Sequence, residues 1–125
     1  MKGQTANGLR ITLLVYAIWW TVYGLLHVIS PELVGAKDPA VERVFGATVL
    51  ALASGALLAY LEKAWERARI VVLVQVAWMI VYAITMAWGL LAGGIAAAAW
   101  PPTIIAAIFA ILLAVNYLRQ ERQHT

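Results

Sequence analysis

Aromatic side chains on two helical faces are the groups in this chain best suited to binding a ligand. These candidate ligand-binding residues are Tyr16, Trp20, Tyr23 and His27 on the first face and Trp78 and Tyr82 on the second. The first four fall at a spacing of 0, 4, 7 and 11, which is one side of a helix. Both segments are strongly apolar, and lipid offers no hydrogen-bond partner to an indole N–H or a phenol O–H. We therefore predict that both faces point into a helical bundle.

Two interpretations of these faces stay open at this point. In one, a hydrophobic small molecule such as a quinone, a lipid or a pigment lies between them. In the other, which we favour, the faces pack against each other. A haem held by two histidines is disfavoured, because His27 is the one histidine within an apolar segment. A tetrapyrrole would need His27 as its single ligand or a second copy of the chain, and we expect no required cofactor.

A second group of polar residues is predicted near the outer membrane surface. His27 lies near the end of the first apolar segment, and Glu42 and Arg43 begin the second. Ionisable groups at membrane depth are expensive, which favours a proton-handling or anion-binding site. The alternative, which we favour, is a boundary network that fixes the 30–39 loop, with Arg43 reaching outward to water.

Catalytic and metal-binding motifs are not found in this sequence. There is no Cys, and neither a Ser-His-Asp set nor a phosphate-binding loop is present. Too few ligands are available for a metal site. Small proton-coupled exporters need an acidic residue within their first span, and this first span has none. The basic residues form no stripe interleaved with aromatics, which argues against nucleic-acid binding.

Composition and charge spacing indicate the elements that hold these faces. Of the 125 residues, 64% are hydrophobic and 12% charged, an excess that a small globule cannot bury. Runs at 11–31, 44–61 and 70–118 lack Asp, Glu, Lys and Arg. The third run is long enough for two crossings of about 20 residues each, and glycine and proline pairs at 93–94 and 101–102 divide it. The predicted spans are roughly 9–29, 40–61, 69–91 and 102–119. We therefore predict an all-α membrane protein, with residues 1–125 forming one up-down-up-down four-helix bundle.

The distribution of Lys and Arg predicts the orientation in the membrane. One side carries seven of these residues, and the other carries two. The seven are Lys2, Arg10, Lys63, Arg67, Arg69, Arg119 and Arg122. Because basic residues favour the cytoplasmic side, both termini and the 62–69 loop are expected in the cytoplasm. Lys37 and Arg43 then lie towards the outside.

Internal similarity suggests a duplicated two-helix hairpin. The motif W-W-T-V-Y-G at 19–24 resembles W-M-I-V-Y-A at 78–83, in register and 59 residues apart. Chance similarity between apolar helices is the alternative, and we favour it. Small residues on the second and fourth spans would let helices approach closely, within the chain or between copies. Gln75 and Asn116 are predicted to hydrogen-bond across the third and fourth spans.

The stretch PELVGAKDPAVERVFGA at 31–47 resembles the corresponding part of small membrane proteins of the DoxX-like type. The residues that carry the resemblance are Pro31, Asp38, Pro39, Glu42, Arg43 and Gly46. The resemblance implies a four-helix bundle, and some relatives are thought to accompany quinone-linked redox systems. Any thiol chemistry would then come from a partner.

Three functions follow from the sequence. The first is a non-catalytic accessory or assembly subunit, or a homo-oligomer, surrounded by membrane lipid and without a nucleic-acid partner. The second is a binder of a hydrophobic small molecule. The third, a small transporter or channel, is the weakest, because no charged residue lies near the middle of a span.

Overall fold

Four long helices account for most of the structure, a computed structural model that describes residues 3–35, 37–95 and 97–125. The helices are α1 (Asn7–Ile29), α2 (Pro39–Leu61), α3 (Trp65–Leu91) and α4 (Trp100–His124). Short 3₁₀ segments at Pro31–Val34 and Ala97–Ala99 precede α2 and α4. The described residues contain no β-strand. The prediction of an all-α four-helix bundle is confirmed.

Helices α3 and α4 extend beyond the predicted membrane spans at their charged ends. Helix α3 begins at Trp65, before the predicted span start at 69, and α4 continues to His124, past the predicted span end at 119. The predicted limits marked where charge enters the sequence. Glu and Arg are good helix formers, so a helix continues through them once it leaves the apolar layer.

Asp38 caps the start of α2 as its type and position predict. Its carboxylate accepts hydrogen bonds from the backbone N–H groups of Ala40 and Val41, at 3.0 and 3.3 Å. Pro39 occupies the first turn, where a missing N–H costs little. The cap fixes where α2 begins. It therefore sets the position of Glu42 along the axis of the neighbouring α1.

Helices α1 and α2 form the closest pair in the bundle, and they run antiparallel. A Cβ atom added to Gly46 would lie 2.8 Å from the carbonyl oxygen of Gly24, so the two backbones nearly touch. At the other end of the pair, the Arg10 guanidinium donates to the carbonyl of Tyr60 at 3.1 Å and lies over its ring. Glycines therefore bring the first hairpin together.

Helices α3 and α4 form the second hairpin, and the two hairpins meet around one core. The Trp65 ring lies 5.5 Å from that of Tyr117, and its indole N–H donates to the Glu121 carboxylate at 2.9 Å. Between hairpins, α2 packs on α3 and α1 on α4, less extensively than within each hairpin. Helices α1 and α3 lie on a diagonal, and large aromatic side chains fill the distance between them.

The residues from Gly3 to Ala6, the α2–α3 connection and the end of α4 lie at the same end of the bundle, which we call the terminal end. The N–H of Thr5 donates to the carbonyl of Lys63, and the N–H of Trp65 donates to the carbonyl of Gly3, both at 2.9 Å. The buried Gln120 side chain accepts from the N–H of Ala6 and donates to the carbonyl of Gln4. The opposite end, where loops join α1 to α2 and α3 to α4, is the loop end.

The outward faces of the helices are apolar. All four helices are long and apolar enough to cross a membrane. Only 22% of the apolar window of α3 is buried within the protein, so most of that surface needs a hydrophobic surrounding. The chain therefore has the layout of a multi-pass membrane protein. The side on which each end lies stays a prediction.

Replacing Gly46 with Ala tests the glycine contact. The added methyl would meet the Gly24 carbonyl oxygen, the His27 Cβ and the Val28 Cγ2, each at 2.8 Å, and the first two of these atoms are held by the backbone. We expect a loss of about 1–3 kcal/mol in stability, measured by unfolding in detergent. Gly8→Ala is the matched control, because its methyl would meet Asn116 at an ordinary 3.4 Å. Equal stability of Gly46→Ala and wild type would contradict the close packing.

Candidate functional site

Trp20 is the centre of the candidate site. Its side chain is fully buried, and three rings surround it at centroid distances of 5.3 Å for Tyr23, 5.3 Å for Trp78 and 5.4 Å for Tyr82. The interplanar angles are 89°, 82° and 82°, so each contact is edge to face. This arrangement brings the positive edge of one ring to the negative face of another.

The surrounding rings extend the cluster to all four helices. Tyr16 packs edge to face on Phe109 of α4 at 5.3 Å, and Phe45 of α2 stacks on Tyr82 at 6.1 Å. We define the aromatic cluster as Tyr16, Trp20, Tyr23, Phe45, Trp78, Tyr82 and Phe109. All six candidate ligand-binding residues lie in one connected set of rings, since the His27 ring lies beside that of Tyr23, at 4.3 Å between centroids and tilted by 51°.

Phe45 and Phe109 are members that the sequence analysis missed. They are the two Phe residues of the chain. Each lies beside small residues on its helix, Phe45 beside Gly46 and Phe109 beside Ala110, although α4 also buries Leu113 and Gln120. Their isolation among Gly and Ala is the signal that could have identified them, because a large ring must fill space that small neighbours leave.

Three polar atoms within and beside the cluster have no hydrogen-bond partner among the described residues. They are the indole N–H groups of Trp19 and Trp20 and the hydroxyl of Tyr82. The Tyr23 side chain lies close to that of Tyr82, yet no hydrogen bond of acceptable geometry joins the hydroxyls. Buried donors without acceptors are rare in folded proteins, so each of these atoms needs an explanation.

A buried hydrogen-bonded chain links three helices below the cluster. The Tyr16 hydroxyl donates to the side-chain oxygen of Gln75 at 2.7 Å, and the Gln75 amide donates to the carbonyl of Leu52 at 2.9 Å. Gln75 is 1% exposed. Gly55 leaves room for it, because a Cβ there would lie 3.1 Å from the Gln75 nitrogen. These two hydrogen bonds fix the position of α1 relative to α3 across the diagonal of the bundle.

The predicted Gln75–Asn116 bond is wrong. The Asn116 amide donates instead to the carbonyl of Leu112, one turn earlier on its own helix. Gln75 faces α1 and α2, away from this position. Similar depth in the membrane was the basis of the prediction, but depth alone does not bring two side chains to the same side of their helices.

The predicted outer cluster forms as a pair rather than as a triad. The His27 ring is 4% exposed, and its Nε2 lies 3.5 Å from Glu42 Oε2. Its Nδ1 lies 2.8 Å from the carbonyl oxygen of Tyr23. Arg43 donates to the carbonyl of Val28 at 3.3 Å, which satisfies the end of α1 rather than the pair. Both contacts join α2 to the end of α1, and neither of them reaches the 30–39 loop that the predicted network was expected to fix.

Two open grooves lie on the surface of α1, away from the aromatic cluster. One, of about 200 Å³, is lined by Leu14, Ala17, Ile18, Thr21, Val22 and Leu57. The other, of about 210 Å³, lies near the loop end and is lined by Val22, Leu25, Leu26, Ile29 and Ser30. Both are apolar and open, as lipid-facing surfaces between side chains are. Neither includes a ring of the aromatic cluster.

Among the described residues, no group of three or more His, Cys, Asp or Glu residues has the arrangement of a metal site.

Compared with known protein families, curated proteins and solved structures, the chain has no significant match.

A double-mutant cycle tests the Tyr16–Gln75 bond. Tyr16→Phe and Gln75→Leu each remove one partner. We therefore expect a coupling energy of about 0.6–1.7 kcal/mol between their effects on the free energy of unfolding in detergent. The control cycle pairs Tyr16→Phe with Asn116→Leu, whose hydrogen bond stays within α4. That control should be additive to within about 0.5 kcal/mol. Additivity in both cycles would contradict the bond.

Proposed function

We propose that this chain is a small non-catalytic membrane protein that acts as an accessory or assembly subunit, or as a homo-oligomer. The observation that carries the proposal is the contact between the aromatic faces: the rings of α1 and α3 pack on one another around a fully buried Trp20. The side chains best suited to chemistry are thereby used to join the two hairpins. Their role is to hold a rigid body in the membrane.

We propose in addition that the terminal end is cytoplasmic. The N-terminal segment, the 62–64 loop and the end of α4 contact one another, so they share one side of a membrane. Most Lys and Arg residues flank this end, which supports a cytoplasmic location. The pattern at residues 31–47 supports kinship with DoxX-like proteins, and the Asp38 cap and the Gly46 contact give two of its residues a structural reason.

A second candidate is a binder of a hydrophobic small molecule at the aromatic cluster. The specific observation in its favour is the group of unpartnered polar atoms on Trp19, Trp20 and Tyr82. A molecule with a hydrogen-bond acceptor, such as a quinone carbonyl or a lipid ester, would satisfy them. Binding would require Tyr23 or Tyr82, both only partly buried, to move aside.

Purification in mild detergent followed by native mass spectrometry separates the two candidates. The first predicts a homo-oligomer or a stoichiometric partner protein, without a small molecule. The second predicts one bound molecule per chain. The dissociation constant of that molecule should rise at least tenfold in the Trp20→Phe variant. Trp88→Phe is the matched control, because this indole is 76% exposed on the outer face of α3. A monomer without partner or ligand would contradict both candidates.

Cysteine labelling tests the orientation, since the chain has no natural Cys. Leu33→Cys, at a side chain 74% exposed at the loop end, should react with a membrane-impermeant maleimide on intact cells. Arg119→Cys, exposed near the terminal end, should react only after the membrane is permeabilised. The reverse pattern would overturn the proposed orientation.

A further inference from the structure

The hydrogen bond made by His27 Nδ1 determines which ring nitrogen carries a proton. A backbone carbonyl oxygen only accepts hydrogen bonds. Because Nδ1 lies 2.8 Å from the Tyr23 carbonyl, Nδ1 must carry hydrogen and donate it. A neutral ring of this tautomer has a bare lone pair at Nε2.

That bare lone pair faces a carboxylate. Nε2 lies 3.5 Å from Glu42 Oε2, and two acceptors at this separation repel unless a proton lies between them. We propose that His27 and Glu42 form a proton-binding site that holds one shared proton at the loop end. The proton resides on Nε2, giving an imidazolium beside a carboxylate, or on Oε2, giving a carboxylic acid beside an imidazole. The transfer moves one proton and needs no other reactant.

The surroundings give the site a buried side and an open side. His27 is 4% exposed and lies between the rings of Tyr23, at 4.3 Å, and Phe45, at 5.1 Å. Gly46 makes room for it, since a Cβ there would lie 2.8 Å from the His27 Cβ. The Glu42 side chain is 32% exposed. A proton from solution therefore reaches His27 through Glu42.

Other charged groups nearby do not replace the shared proton. Arg43, the nearest cation along α2, donates to the Val28 carbonyl. Asp38 in the preceding loop caps α2, and Glu32 and Lys37 are exposed to solvent. The hydroxyls of Tyr23 on α1 and Tyr82 on α3 lie within electrostatic range of Glu42 but are neutral. Loss of the proton therefore leaves the pair without compensation, and Glu42 separates from His27 towards water.

Nitrogen-15 NMR of histidine tests the proton assignment directly. In detergent micelles, the His124→Gln variant leaves His27 as the sole labelled histidine. We expect Nδ1 to stay protonated throughout a titration from about pH 5 to about pH 9. The Nε2 signal should move to that of a bare nitrogen only as the pH rises. A bare Nδ1 with a protonated Nε2 in the folded protein would overturn the proposal, and this result needs no variant at the pair.

Glu42→Gln gives a second test, because an amide donates N–H to a neutral Nε2 without a shared proton. Wild-type thermal stability in detergent should fall as the pH rises, since the protonated pair is the bonded form. Glu42→Gln should lose most of this fall, whereas Glu32→Gln, at an exposed glutamate in the adjoining turn, should keep it. Identical pH dependence in wild type and Glu42→Gln would contradict the proposal. The proposed site depends on neither a partner protein nor the orientation, so it can fail independently of the proposed function.

Discussion

Edge-to-face contacts around Trp20 are the interaction on which the arrangement of the two hairpins depends. Within lipid, helices gain little from the hydrophobic effect, because acyl chains are as apolar as leucine. Close packing and hydrogen bonds must therefore hold them together. Within the α1–α2 hairpin, glycines allow this close packing, because the two backbones nearly touch there. Across the diagonal, where α1 and α3 are too far apart for backbone contact, rings fill the space. Each aromatic pair contributes about 0.5–1.5 kcal/mol beyond its buried area.

Polar groups along this interface divide into three kinds. The Tyr16–Gln75 chain is satisfied and connects α1, α3 and the Leu52 carbonyl of α2. The Trp20 indole is buried without an acceptor among the described residues, a cost that the ring contacts offset. The His27–Glu42 pair lies at the loop end, where Glu42 still reaches water. Ionisable chemistry thus lies at the boundary, and the interior holds neutral groups.

Much of the fold was predictable because charge and helical period are strong signals in a chain of this composition. The missing charges located the spans, and the 3.6-residue period grouped Tyr16 with Trp20. The partner of a face was harder to predict, because periodicity fixes neither the rotation of a helix against its neighbours nor which neighbour it meets. For that reason Gln75 was paired with Asn116 instead of Tyr16, and Phe45 was missed. Arg43 was placed with Glu42, but its guanidinium donates to the helix-end carbonyl of Val28.

The aromatic faces of α1 and α3 pack directly against each other, and the arrangement of the two hairpins rests on this contact. The direct test is a crystal structure from crystals grown in a lipid mesophase. It would show the distances between the rings, and any molecule bound between them, in a lipid environment. We expect the Trp20 ring centroid to lie 5.3 Å from that of Trp78 and 5.4 Å from that of Tyr82, with no density between the rings. Rings separated by more than about 7 Å, with a bound molecule in the space, would contradict it.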